Sequence, residues 1–287
     1  METIMEPTKA LVVLSGGQDS TTCLFLAKYD FDEVHAITFN YGQRHAIELN
    51  SARKVAEMAG VASHEIITLE AQESDHSGIL TSAKILKGTS PLVSDNELEQ
   101  YEDHASLPGG LEKTFVPMRN QLFLTIAANR AYVLGCQNLV TGVCEEDFGG
   151  YPDCRQIFID ALQRACNLGT FTGEDGALGS LKIHTPLMNT TKAGSVTFAL
   201  QIKGCFDALA WSHTAYDGQY PPLGHDHATL LRAKGFEEAN VPDPLILRAV
   251  KEGLMDLPTT PNYDGAVVEK YLAFLPSLNA GNDGVSA

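Results

Sequence analysis

The 287 residues are 44% hydrophobic and 20% charged, enough for one large α/β domain with an appendage or for two domains. With 36 acidic against 20 basic residues the formal charge is −16, which argues against a broad basic footprint for nucleic acid but leaves room for a small nucleotide or base in a local basic pocket. No apolar run approaches the roughly 18–20 residues a membrane-spanning helix needs. Met1–Thr8 carries two acids and no apolar core, so no secretory signal is expected. The six cysteines form no C-x-x-C pair, and reduced thiols in a cytoplasmic protein are the simplest account.

In chain order, Lys9–Leu14 reads as a strand, Thr21–Tyr29 as an amphipathic helix and Glu33–Phe39 as an alternating second strand. Glu48–Ala59 sets Leu49, Ala52, Val55, Ala56 and Ala59 on one helical face, and His64–Leu69 reads as a third strand. Residues 70–113 are rich in Ser, Asp, Glu and Gly and are expected to form a long loop or lid. A helix over Asn120–Leu134, a strand over Asn138–Val143 and a helix over Arg155–Leu168 follow. In the last, Ile157, Phe158, Ala161, Leu162 and Ala165 form the expected apolar side. A short strand over Leu181–Thr185 precedes a helix over Thr191–Ile202, capped by Thr190 or Thr191. Trp211–Gly224 is turn-rich, helical patches begin at Arg248, and the tail from about Asn279 has the composition of a disordered segment. Strands alternating with helices predict a doubly wound parallel sheet, here 9–205, followed by a small helical part, 206–278.

Ser15–Ser20 reads S-G-G-Q-D-S directly after the apolar run Leu11–Leu14. Gly16 and Gly17 let the backbone approach an anion with no Cβ in the way. Ser15, Ser20, Thr21 and Thr22 add hydroxyl donors, and the helix behind the turn aims unpaired N–H groups at the ligand. The loop has no lysine, so it is not the G-x-x-x-x-G-K-[ST] cradle. It resembles the S-G-G-x-D-S loop of the ATP pyrophosphatases, which split ATP between the α and β phosphates.

Four further segments narrow the resemblance: F-N-Y-G-Q-R-H at Phe39–His45, T-F-V-P-M-R-N at Thr114–Asn120, T-G-V-C-E-E-D-F-G-G-Y-P-D-C-R at Thr141–Arg155, and T-P-L-M-N-T-T-K-A at Thr185–Ala193. In this order they resemble the 7-cyano-7-deazaguanine synthase family of the PP-loop ATP pyrophosphatases, over roughly Lys9–Phe236. The resemblance implies an ATP-dependent ligase that converts 7-carboxy-7-deazaguanine and ammonia to the nitrile through an acyl adenylate and an amide. It also implies ATP and Mg²⁺, a homodimer, and small-molecule substrates with no nucleic acid or membrane partner.

On that resemblance Ser15, Gly16, Gly17, Gln18, Asp19, Ser20 and Thr21 surround the pyrophosphate, with Asp19 the nearest candidate for Mg²⁺. Capping of the following helix is an equally compatible role for Asp19. Lys192 stands where the family places a phosphate-contacting lysine; taken alone it reads as well as a salt-bridging lysine. Arg44 and Arg119 join Asp19 and Lys192 as catalytic candidates, since a guanidinium pairs bidentately with phosphate or carboxylate. Tyr41, Gln43, His45, Asn120, Glu145, Asp147, Tyr151, Asp153 and Arg155 are the substrate-binding candidates. Either Asp147 or Asp153 suits the N–H-rich edge of a guanine-like ring, and Tyr151 or Phe148 suits stacking. No nucleophilic cysteine is required.

Three departures stand out. Related sequences carry four zinc-binding cysteines near the C-terminus, and the matching positions here hold His213, Leu223, Asp226 and Thr229. His213, His225, Asp226 and His227 remain as donors, but neighbouring residues converge poorly on a tetrahedral metal. Zinc is therefore expected to be absent, with packing and hydrogen bonds in its place. Asn40 and Gly194 each stand where the family has a carboxylate. These two changes leave open an enzyme that stops at the 7-amido compound for DNA modification. A non-catalytic deazaguanine-binding homologue is the remaining alternative.

Overall fold

A computed structural model describes residues 7–41, 47–69, 116–145, 151–170, 180–215, 218–222 and 226–279. The expected lid at 70–113 and all but the first residue of the tail lie outside them. Five parallel strands form one sheet in the order β3-β2-β1-β4-β5: β1 Lys9–Val13, β2 Glu33–Asn40, β3 Ser63–Thr68, β4 Asn138–Val140 and β5 Lys182–His184. Side chains alternate across a strand, and β1 shows the consequence. Ala10, Val12 and Leu14 enter one core and Leu11 enters the other. Both faces are covered, so β1 is apolar almost throughout, as buried parallel strands are.

On one face lie α1 (Gln18–Asp30), α2 (Ile47–Ala59), α5 (Lys192–Gln201) and α6 (Cys205–Leu209). On the other lie α3 (Arg119–Leu134) and α4 (Gln156–Leu168). Helix α1 is not the amphipathic surface helix the sequence predicts. It is packed against the sheet, α2, α5 and α6, and buries Thr21, Thr22, Cys23 and Leu24 completely. The expected face of α4 is also corrected. Ile159 and Leu162 are the buried residues, whereas Ile157 is 76% exposed. Here periodicity misleads because Ile157 and Ile159 point to opposite sides and the sequence does not say which one meets the sheet.

The C-terminal part is more helical than its composition indicates. Helix α7 (His227–Glu238) has no counterpart among the predicted elements, and α8 (Pro244–Lys251) starts four residues before the predicted patch. Asp226 and Asp243 cap these two helices through Thr229 N–H and Leu245 N–H. Helices α9 (Gly265–Leu272) and α10 (Pro276–Asn279) are the last described elements. Phe236, Val241, Leu247, Tyr271, Leu275 and Leu278 share one core with β1, α1 and α6.

Candidate active site

The strand order reverses between β1 and β4, and ligands in such sheets bind beyond the C-terminal strand ends at that point. Ser15–Gly17 leaves β1 there and Thr141–Val143 leaves β4. Gly142 is pressed against the start of α1, where a Cβ would stand 3.1 Å from Ser20 N and 3.3 Å from Asp19 Cβ. A cavity of about 290 Å³ opens at this crevice.

The phosphate turn is held by its own hydroxyls. Ser20 Oγ accepts from Ser15 N–H at 3.1 Å and lies 2.9 Å from Ser15 Oγ, and Gly17 N–H donates to Ser15 Oγ at 3.2 Å. Gly16 has φ +90°, and a Cβ there would stand 2.5 Å from Glu48 O and 2.8 Å from Ala52 N of α2. From the other side, His213 N–H donates to Gly16 O at 2.8 Å. The turn is therefore clamped between α2 and residue 213. Gln18, 3% exposed, lines the cavity with neither atom of its carboxamide hydrogen-bonded by the protein.

Asp19 does not cap α1; Gly17 is the N-cap residue and no side chain caps it. Its carboxylate instead meets Lys192 Nζ at 2.6 Å, with both side chains largely buried. Lys192 is placed by Thr191, which caps α5 by accepting from Gly194 N–H, and by α7. A Cβ at Gly235 of α7 would stand 2.5 Å from Lys192 Cβ, so only glycine lets the two helices approach this closely. At Gly194, a Cβ would stand 2.7 Å from Thr190 Cγ2. The position where the family resemblance leads one to expect a carboxylate is here crowded by the Thr190 side chain.

Phe39, Tyr41, Glu48, Arg119, Asn120, Phe123, Tyr151 and Cys154 line the same cavity. Phe39 stacks on Phe123 with ring centroids 4.4 Å apart. Arg119 lies beside Tyr41 and Glu48. Burial pushes the Glu48 carboxyl up to about 7, against the opposing pull of the Arg119 guanidinium. Burial also pushes the Cys154 thiol up to about 12, so it stays protonated at neutral pH and is a poor nucleophile.

The cavity thus brings together Ser15, Gly17, Gln18, Asp19, Ser20, Tyr41, Arg119, Asn120, Tyr151 and Lys192 from the sequence-based candidates. Gly16 and Thr21 stand behind the wall, and Thr21 Oγ1 is buried without a partner. Asp153 is turned toward α3, where Oδ2 accepts from Asn120 N–H at 3.1 Å while Oδ1 is buried without a partner. Glu145 accepts from Gln156 N–H at 2.8 Å at the start of α4, and Arg155 is exposed. Gln43, Arg44, His45, Asp147 and Phe148 lie outside the described residues. Sequence reasoning missed Glu48, Thr214 and Arg232, and considered His213 and His227, which also line the cavity, only as metal donors. Glu48 follows the Y-G-Q-R-H segment by three residues, which was the available signal.

The described residues at the positions expected to have lost zinc ligands bond within the protein. Asp226 accepts from Thr229 N–H at 3.0 Å and Thr229 Oγ1 at 2.7 Å, and His213 Nε2 lies 2.9 Å from Ala215 O. His225 and Leu223 lie outside the described residues.

Residues 9–240 match the family described as queuosine biosynthesis protein QueC. The chain belongs to that family. It is 52% identical over 239 residues to a 7-cyano-7-deazaguanine synthase from Gloeobacter violaceus, covering 83% of this chain and 95% of the relative. It is 46% identical over 246 residues to one from Chromobacterium violaceum, covering 85% and 95%. A relative of the same name from Laribacter hongkongensis is 45% identical over 248 residues, covering 86% and 98%. The match ends at residue 240, so α8, α9 and α10 follow it.

Proposed function

We propose that this chain converts 7-carboxy-7-deazaguanine to 7-cyano-7-deazaguanine with ATP and ammonia. The observation that carries the reading is that a single cavity joins the phosphate turn and Lys192 to Tyr41, Arg119, Asn120 and Tyr151, which come from the family's distinctive segments. The unpaired Gln18 carboxamide in its wall supports a polar ligand there.

A carboxylate is a poor electrophile until its oxygen can leave. A substrate carboxylate oxygen attacks the α-phosphorus of ATP, the bond to the bridging oxygen breaks, and pyrophosphate departs. Ser15, Gly17 and Ser20 receive the phosphates, and Lys192 balances the negative charge that gathers on them. Asp19 beside this cradle is a fitting ligand for Mg²⁺, which keeps several waters and phosphate oxygens and needs few protein carboxylates. Bound there, the ion would further neutralise phosphate charge.

Ammonia then adds to the acyl carbon and AMP leaves. Glu48, poised near neutrality beside Arg119, takes the proton released by the attacking nitrogen. A second ATP activates the amide oxygen, and loss of that oxygen on AMP leaves the nitrile. Mass spectrometry of products after incubation with ATP, Mg²⁺, ammonium and 7-carboxy-7-deazaguanine tests the reading, together with AMP counted per base. Two AMP and a nitrile are expected. One AMP and an amide would place the chain at the intermediate, and base binding without AMP would overturn the enzymatic reading.

A further inference from the structure

Arg232 lines the cavity and would ordinarily be assigned to a phosphate. Its hydrogen bonds say otherwise. Nε donates to Asp243 Oδ2 at 2.6 Å, and one terminal nitrogen to Asp243 Oδ1 at 2.8 Å and Leu209 O at 3.1 Å. The other terminal nitrogen donates to Ser212 Oγ at 2.8 Å and Thr214 Oγ1 at 3.0 Å. A guanidinium has five N–H groups, and all five are used. At 2% exposure Arg232 has no donor left for a ligand.

The residues it holds flank His213, whose N–H clamps Gly16 O at 2.8 Å. The His213 carbonyl oxygen lies 3.5 Å from where a Gly17 Cβ would be, so the backbone of one residue packs on both glycines of the turn. Asp243 lies beyond the stretch that matches the family, 9–240. It is fixed in turn by Tyr263, whose hydroxyl accepts from Asp243 N–H at 3.2 Å, and by capping α8. Nearby, Asn262 Nδ2 donates to Val241 O at 2.9 Å.

We infer that Arg232 and Asp243 are positioning residues, through which the C-terminal segment 241–279 sets the shape of the phosphate turn for ATP. The connection runs from Asp243 to Arg232, to Ser212 and Thr214, and through the His213 N–H to Gly16. Removing it loosens the turn and weakens nucleotide binding without touching the deazaguanine side of the cavity.

The inference rests on the ATP reading above, and the test separates the two. Steady-state kinetics and calorimetric binding of MgATP are measured for wild type, Arg232→Lys, the double variant Ser212→Ala/Thr214→Val, and Leu275→Val. The last trims the same C-terminal core away from Arg232 and controls for lost stability. Arg232→Lys should raise the KM for ATP about tenfold while moving the KM for 7-carboxy-7-deazaguanine less than twofold, since a lysine cannot reproduce the fork. The double variant should show the same split more weakly. Leu275→Val should lower Tm and leave the KM for ATP alone. If Arg232→Lys does not fold, the double variant decides. Wild-type nucleotide affinity in the variants, or an equal loss in Leu275→Val, would overturn the brace alone. A wild type that does not bind MgATP would overturn the ATP reading and the brace with it.

Discussion

Gly16→Ala separates the two glycines of the phosphate turn by physics alone. At φ +90° an alanine costs about 1–2 kcal/mol over glycine. Its Cβ would sit 2.5 Å from Glu48 O and 2.8 Å from Ala52 N, and both are backbone atoms of α2 that cannot swing aside. Forcing such a contact apart costs about 1–3 kcal/mol, while the stiffer unfolded chain returns about 0.4–1 kcal/mol. The net loss is about 1–5 kcal/mol, a fall in Tm on the order of 2–8 °C for a chain of this size. Gly17→Ala is the contrast. Its φ of −80° is ordinary and its nearest contacts, Ser15 Oγ at 3.4 Å and His213 O at 3.5 Å, are at van der Waals distance. It should melt within about 2 °C of wild type, or slightly above it. Thermal denaturation followed by circular dichroism measures both. Equal melting points, or Gly17→Ala the less stable, would refute the account of the turn.

Glu48 gives a pH signature. Its folded-state value of about 7 exceeds the ordinary 4.5, so the folded protein binds more protons between them and Glu48's contribution to stability falls as pH rises through that window. Glu48→Gln should therefore raise Tm at pH 8, leave it nearly unchanged at pH 4.5 and abolish the kcat dependence near pH 7; an unchanged pH profile would remove Glu48 as the base. Lys192→Met should cut kcat about 10²- to 10³-fold, the usual scale for losing one charge-stabilising donor, and activity within threefold of wild type would exclude the role given to Lys192. Metal analysis of the purified protein should find substoichiometric zinc, and one tightly held zinc per chain would contradict the reading of Asp226 and Thr229. Raising NaCl from about 10 to 150 mM shortens the Debye length from about 30 to 8 Å and screens a chain of charge −16 from its anionic nucleotide. The KM for ATP should then fall with added salt; a steep rise would mean that local cations set the approach of the nucleotide.

The sheet was legible because each early strand is a short apolar run with an ending in turn chemistry, and the five strands lie within one to three residues of their predicted bounds. Faces were harder. Helix α1 carries Thr21, Thr22 and Ser20 into full or near-full burial because it is sandwiched, and no periodicity separates such a helix from an exposed polar one. Helix α7 escaped notice for a related reason. Its sequence H-A-T-L-L-R-A-K-G-F-E-E places a buried arginine and a glycine at its packed positions, where a pattern search expects apolar residues. Arg232 is inside because Asp243 pairs with it, and Gly235 because Lys192 crosses it. Both partners come from distant parts of the chain.

The same partnerships sort the cations of the site in a way the sequence does not disclose. Arginine or lysine in a phosphate-binding enzyme invites assignment to the phosphate, yet the three such residues among the described lining have three different commitments. Arg232 is spent entirely on the protein. Lys192 pairs with the Asp19 carboxylate. Arg119 lies beside Tyr41 and Glu48. Among the described lining residues, Lys192 and Arg119 thus each stand beside an acid, Asp19 and Glu48. A cation already paired with a carboxylate gives an incoming triphosphate less than an unpaired one would. Directed donors at the turn add to what such paired cations supply, so the shape of Ser15–Gly17 matters beside the basic residues around it.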